Sequence, residues 1–240
     1  MILQTFPNLE SLSQAAAGLF ARLAADAVKT RGRFSVALSG GGTPRRAYEI
    51  LAQPPFREQV SWDCTHVFWG DERCVDPADP RSNTRLAREA LLDRVPLPGT
   101  QIHPLSCSPS PESGAQNYEN LLREFFGGGP PRLDLIFLGL GENGHTASLF
   151  PGDPALNERE RWTAPVQVAG ENLARVTLTV PLINEAAVVA FLVAGAAKAG
   201  VLRKVLQGPR DPRRLPAQLI NPGGGELYWL VDREAAAELR

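Results

Sequence analysis

The chain has 240 residues and a formal net charge of −1, enough length for a sizeable core and no basic surplus of the kind that holds nucleic acid. No apolar run reaches the ~20 residues of a membrane span. The opening "MILQTFPNLESLSQ" lacks the basic and apolar regions of a signal peptide, so a cytoplasmic protein without nucleic-acid or membrane partners is expected. Cys64, Cys74 and Cys107 make an odd set with no metal-ligand spacing, which predicts free thiols in a reducing compartment and no metal centre.

Taken in chain order, helical periodicity is clearest over Leu9–Thr30, Pro44–Ala52, Asn83–Arg94, Glu112–Phe126 and Ala196–Gln207. Between these lie short apolar, β-branched or aromatic runs: "FSVALS", "THVFWG", "LDLIFLG", "RVTLTV", "AVVAFLV" and "ELYWLV". Strands alternating with helices predict an α/β fold with an open, mostly parallel sheet and helices on both faces. Runs apolar throughout, such as "LDLIFLG", fit central strands covered on both sides. No repeat, low-complexity tract or linker divides the chain, and one domain over 1–240 is expected. In such sheets ligands bind outside the carboxyl ends of the strands, so the loops that follow strands are where function is sought.

Three of those loops are chemically loaded. In "VALSGGGTPRRAYEIL" a strand ends at Ser39, Gly40, Gly41 and Gly42 follow, and Thr43 and Pro44 suit the cap and first position of a helix. Glycines admit close approach to backbone amides and the helix N-terminus is partly positive, so Ser39–Thr43 reads as an anion site, best filled by a phosphate. It is not a nucleotide P-loop, which ends Gly-Lys-Ser/Thr where this one ends Gly-Thr-Pro. In "VFWGDERCVDPADPRSN", Asp71, Glu72 and Arg73 follow a strand, and Ser82 and Asn83 open the next helix. Alone, the triplet reads as a surface ion-pair cluster; beside a ligand, Arg73 is suited to an oxyanion and Asp71, Ser82 and Asn83 to sugar hydroxyls.

The third loop is "GLGENGHTASLFPG", 139–152. Its G-x-G-x-x-G is not followed by a helix or by an acid ending the next strand, so a dinucleotide turn is rejected. His145, at a strand's carboxyl end among glycines, is then the candidate general base. His66 and His103, without polar company in the sequence, read as structural. A fourth element, "LVAGAAKAGVLRKVL", puts Lys198 in the first turn of a helix, where a cation opposes the dipole unless an anion is present; Lys29, Lys198 and Lys204 are the only lysines.

Together "LSGGGTP", "WGDERCVDPADPRSN", "GLGENGHTASLFPG", "RVTLTVPLIN" and "VAGAAKA" resemble the 6-phosphogluconolactonase family, in register from about residue 5 to residue 232. The resemblance implies a Rossmann-like fold shared with glucosamine-6-phosphate deaminases. It implies hydrolysis of 6-phospho-D-glucono-1,5-lactone to 6-phosphogluconate in the pentose phosphate pathway, with no metal or other cofactor. On that reading the phosphate sits on Ser39–Thr43 with Lys198 and Arg175, His145 activates water, and Arg73 stabilises the oxyanion. The alternatives are a deaminase-like enzyme and a non-catalytic phosphosugar-binding module. Deaminases resemble "D-E-Y" at Asp71–Arg73 and carry a Glu where this chain has Phe150, and an intact His145 speaks against a mere binder. The lactonases usually read Asp-Gly-His; here Asn143 removes that charge, and Glu142 is the nearest acid. The oligomeric state is left open.

Overall fold

The computed structural model describes residues 1–168 and 173–240. Among them, six strands form one parallel sheet in the order β1 (Ile2–Phe6), β9 (Glu226–Asp232), β8 (Val188–Val193), β5 (Leu135–Leu138), β2 (Phe34–Leu38) and β3 (Thr65–Trp69). Strands β2, β5 and β8 are buried along their whole length, as their uninterrupted apolar sequences require of strands covered on both faces. The helices are α1 (Leu9–Arg31), α2 (Gly42–Leu51), the single turn α3 (Phe56–Gln59), α4 (Asn83–Ala90), α5 (Pro111–Phe125), α6 (Val180–Glu185) and α7 (Ala199–Gln207).

Side-chain alternation sets which helix covers which face. Phe34 on β2 and Phe137 on β5 lie on one face, where Phe20 of α1 packs at 5.1 and 6.4 Å between ring centroids. Phe68, one residue out of phase, points to the other face and meets Phe125 of α5 at 4.9 Å. Helix α1 reaches the sheet through a stripe of Leu12, Ala16, Phe20, Ala24 and Ala27, all buried, at the three- and four-residue spacing of a helical face. Asn8 caps its start by accepting from the Ser11 amide at 2.9 Å, and Gly32, at φ 74°, ends it.

A second sheet of three antiparallel strands, β4 (Asp71–Arg73), β7 (Ala174–Leu178) and β6 (Thr163–Gln167), was not expected. "RVTLTV" belongs there and not to the parallel sheet, and Asp71–Arg73 is a strand where a loop was expected. Strand β1 was likewise missed, because "ILQTF" is a half-exposed edge with little apolar signal. The cysteine expectation is corrected too: Cys74 and Cys107 are joined in a disulfide and only Cys64 is free. The antiparallel run of β4 carries Cys74 back beside the segment before α5, a proximity that a separation of 33 residues does not reveal. The free-thiol argument for a reducing compartment therefore falls away.

The chain order locates the site. From β2 the chain steps to β3 at one edge, whereas β5, on the other side of β2, leads on to β8 and β9. The direction of winding reverses between β2 and β5, and the crevice beyond their carboxyl ends is where such sheets bind ligands.

Candidate active site

Three strand ends converge on one open cavity of about 570 Å³. The β2 loop contributes Ser39, Gly40, Gly41, Gly42 and Thr43; the β5 loop Gly141, Glu142, Asn143 and His145; the turn after β8 Lys198; and the small sheet Asp71, Arg73 and Arg175, with Asn83 from α4. Of the residues expected at the site, Ser82 alone does not line the cavity. It caps α4 instead, accepting from the Arg85 amide at 3.1 Å and donating to Glu72 at 3.0 Å.

The β2 loop is built to present amides. Helix α2 begins at Gly42, with Gly41 as its cap, not at Pro44 with a Thr43 cap as the sequence suggested. Gly41 has φ 104°, a conformation glycine adopts without steric cost. No side chain caps the helix and its first turn holds no acid, so its N-terminal amides and partial positive charge are available to an anion. Behind the loop, the buried Tyr48 hydroxyl donates to the Ser39 carbonyl at 2.9 Å and accepts the Ser39 amide at 3.0 Å. Burial pushes the Tyr48 phenol well above its ordinary range, so it stays neutral as a brace.

Asp71 and Glu72 are not a surface ion-pair cluster. Both are buried, and their partners are neutral. Glu72 accepts the amides of Arg73, Asn83 and Thr84 at 2.7, 2.8 and 2.8 Å, a carboxylate seated on the N-terminus of α4. Asp71 accepts from Ser148 Oγ at 2.6 Å and from Asn83 Nδ2 at 3.2 Å. Asn83 Nδ2 also donates to the Asp71 carbonyl at 2.9 Å, which fixes its amide orientation and turns Oδ1 toward Gly40. A Cβ on Gly40 would lie 1.8 Å from that oxygen, so glycine is required there.

Arg73 and Arg175 sit directly opposite each other in the β4–β7 pair. Both line the cavity and bring positive charge to its wall. Lys198, at the cap of α7 rather than inside its first turn, lies 3.9 Å from Glu142. Its turn is anchored by Asp232, which accepts the Gly195 amide at 3.0 Å. Among the described residues no group of three or more His, Cys, Asp or Glu side chains could hold a metal ion.

His145 is held by its own loop. Asn143 Oδ1 accepts the His145 amide at 3.1 Å and lies 2.6 Å from ring Nδ1. Gly141 donates to the His145 carbonyl at 2.9 Å, and a Cβ on Gly141 would come within 2.1 Å of the ring. The Phe150 ring packs on the imidazole at 4.4 Å, and the Arg175 guanidinium stands 5.1 Å over that same ring. Glu142 lies 3.9 Å from Lys198, and the side chain of this loop that hydrogen-bonds the ring is Asn143. His66 and His103 lie elsewhere, on the α5 face of β3, and each is the other's polar partner at 3.1 Å.

A family model described as "Glucosamine-6-phosphate isomerases/6-phosphogluconolactonase" matches residues 7–229. The chain belongs to this family. It is 47% identical over 218 residues to a 6-phosphogluconolactonase of Synechocystis sp., covering 89% of this chain and 88% of the relative. A 6-phosphogluconolactonase of Nostoc sp. is 44% identical over 217 residues, with the same shares covered. Among solved structures, a 6-phosphogluconolactonase from Trypanosoma cruzi superposes with a TM-score of 0.86 at 26% identity, covering 99% of this chain and 96% of that one.

The family description joins two chemistries, and Phe150 is where this chain differs from the deaminase pattern. An aromatic ring on the imidazole cannot relay a proton as a carboxylate would. Of the residues that brace the site, Tyr48 and Ser148 were not singled out from the sequence, and Glu72 was read only as part of the Asp71–Arg73 triplet. Each acts through a fold contact that no local motif signals: Glu72 lies in β4, eleven residues before the helix start it meets.

Proposed function

We propose that this protein hydrolyses 6-phospho-D-glucono-1,5-lactone to 6-phosphogluconate in the oxidative pentose phosphate pathway. The observation that carries the reading is the meeting, in one switch-point cavity, of an uncapped glycine-rich helix start with a histidine locked by its own loop. The named lactonase relatives and the ring at Phe150 support it over deamination. We place the enzyme in the cytoplasm as one domain over 1–240, acting on a small phosphosugar lactone without nucleic-acid or membrane partners.

In this mechanism the C6 phosphate rests on the Ser39–Thr43 loop, with Lys198 and Arg175 supplying positive charge. That anchor positions the ring so that C1 is presented to His145, converting attack into a near-unimolecular step. Neutral His145 takes a proton from water as the oxygen bonds to C1. Arg73 stabilises the oxyanion that forms, and Asp71 and Asn83 hold sugar hydroxyls. As the tetrahedral intermediate collapses, the C1–ring oxygen bond breaks and the imidazolium returns its proton to the departing oxygen.

The test is a coupled assay of lactone hydrolysis, corrected for the spontaneous rate, on the parent and on His145→Gln. The expected outcome is turnover by the parent and a fall in kcat of ~10²–10⁴-fold in the variant with KM little changed. Parent protein that binds 6-phosphogluconate without accelerating hydrolysis would be a sensor, not this enzyme.

A further inference from the structure

We infer that the buried hydroxyl of Tyr118 is a positioning group for the reaction: it locks the joint between the two sheets and so sets where Arg73 stands relative to His145 and the phosphate loop. It rests on the roles proposed above for Arg73 and His145.

The two halves of the site stand on different sheets. The Ser39–Thr43 and His145 loops follow β2 and β5 of the parallel sheet, whereas Asp71, Arg73 and Arg175 belong to β4 and β7 of the small one. The sheets join at Gly70. Its amide donates to the Leu38 carbonyl of β2 at 2.8 Å, and its carbonyl accepts the Leu178 amide of β7 at 2.8 Å. Asp71 follows at once, so a tilt at Gly70 moves the two arginines against the base.

Tyr118 acts one residue before this joint. Strand β3 is the edge of the parallel sheet, and alternate residues of a parallel strand offer their N–H and C=O to the same side. On the outer side Val67 accepts the His103 amide at 2.8 Å. Two residues on, the Tyr118 hydroxyl accepts the Trp69 amide at 2.8 Å and donates to the Trp69 carbonyl at 3.3 Å. One hydroxyl thus stands in for a neighbouring strand where β3 gives way to β4. Burial holds the phenol above its ordinary range, so it stays a hydroxyl. The same face of α5 holds the small sheet twice more. The Ala115 carbonyl accepts Thr163 Oγ1 of β6 at 2.7 Å, and Glu119 Oε2 accepts the Trp162 amide at 3.0 Å. Helix α5, none of whose residues lines the cavity, is therefore the base on which the arginine-bearing wall is set. The Ser148–Asp71 bond also joins the halves, so loss of the Tyr118 hydroxyl misplaces the wall without detaching it. Tyr48 supplies the contrast, because its hydroxyl makes the same pair of bonds to Ser39 on the phosphate side.

The experiment measures kcat, KM and Tm in the lactone assay for the parent, Tyr118→Phe, Tyr48→Phe and Thr163→Val, with amide hydrogen exchange alongside. Tyr118→Phe should lower kcat about tenfold with KM within about threefold, the small rise allowing for Arg175. Exchange should quicken at Trp69 and through β4 and stay parental at Ser39. Tyr48→Phe should show the reverse split, with KM raised about tenfold and kcat within about threefold. A merely structural hydroxyl would lower Tm and leave both kinetic constants parental. Thr163→Val loosens the same sheet from α5 without touching Tyr118, and it decides the matter should Tyr118→Phe fail to fold: kcat should fall about threefold at unchanged KM. Parental kcat in Tyr118→Phe, or in Thr163→Val where the first does not fold, overturns the inference, and so does a KM-dominated loss shared by Tyr118→Phe and Tyr48→Phe. Parent protein without lactonase turnover would instead overturn the reading on which the inference stands.

Discussion

At the amino ends of β2 and β5, Asp134 accepts the Ser35 amide and hydroxyl at 2.8 Å each and the Arg31 guanidinium at 2.5 Å, so its oxygens are fully engaged within the chain. At the carboxyl ends of the same strands, Ser39 Oγ, Asn83 Oδ1 and Arg73 Nε are buried and have no partner among the described residues. All three belong to residues that line the cavity. Buried polar groups without partners are costly and uncommon. On the proposed function these groups are candidates to meet the substrate, whereas the polar groups around Asp134 at the other end are met by the protein.

Substitutions at the two ends should therefore separate binding from stability. Gly40→Ala has the largest expected effect: the new Cβ would sit 1.8 Å from Asn83 Oδ1, and overpacking of this kind costs about 1–3 kcal/mol. Applied to substrate alignment, that is a loss of roughly 10–100-fold in kcat/KM. A variant with parental kinetics would show that the loop gives way freely and that Asn83 does not matter. Asp134→Ala should do the reverse, lowering stability by about 1–3 kcal/mol through the unsatisfied Ser35 groups, a few degrees in Tm, with kcat/KM within about twofold. A large kinetic loss there would break the division between the ends.

The smallest effect concerns the pair formed by His66 on β3 and His103 beside it. Burial, then the neighbouring His66, pushes His103 down to about 4, and burial with Arg33 nearby lowers His66 as well. A histidine titrating lower in the folded state than in the unfolded chain, near ~6.5, contributes stability that is present above that value and lost as pH falls toward about 4. Tm should decline over this window, and His103→Asn should flatten the decline. Equal acid sensitivity in the variant would assign it to other groups.

What could be read in advance follows the range of the interactions. Helices α1, α2, α5 and α7 and the central strands were legible because periodicity and capping are local, and so were the Ser39–Thr43 and His145 loops, whose glycines and strand ends adjoin in sequence. Long-range pairing was not legible. Arg73 meets Arg175 only because β4 and β7 pair antiparallel, Cys74 meets Cys107 across 33 residues, and Ser148 reaches Asp71 across 77. Ser82 shows the converse error: a hydroxyl next to a site motif was assigned to the ligand, although its position before a helix suited it equally to capping. Asn143 was noticed as a departure, but its hydrogen bond depends on how the loop turns back on itself.

The most direct test of the account is a crystal structure with 6-phosphogluconate bound. The phosphate is predicted to lie against the first amides of α2, within reach of Lys198, with the new carboxylate beside His145 and Arg73. A phosphate bound away from the Gly41–Thr43 turn, or a carboxylate remote from His145, would contradict it.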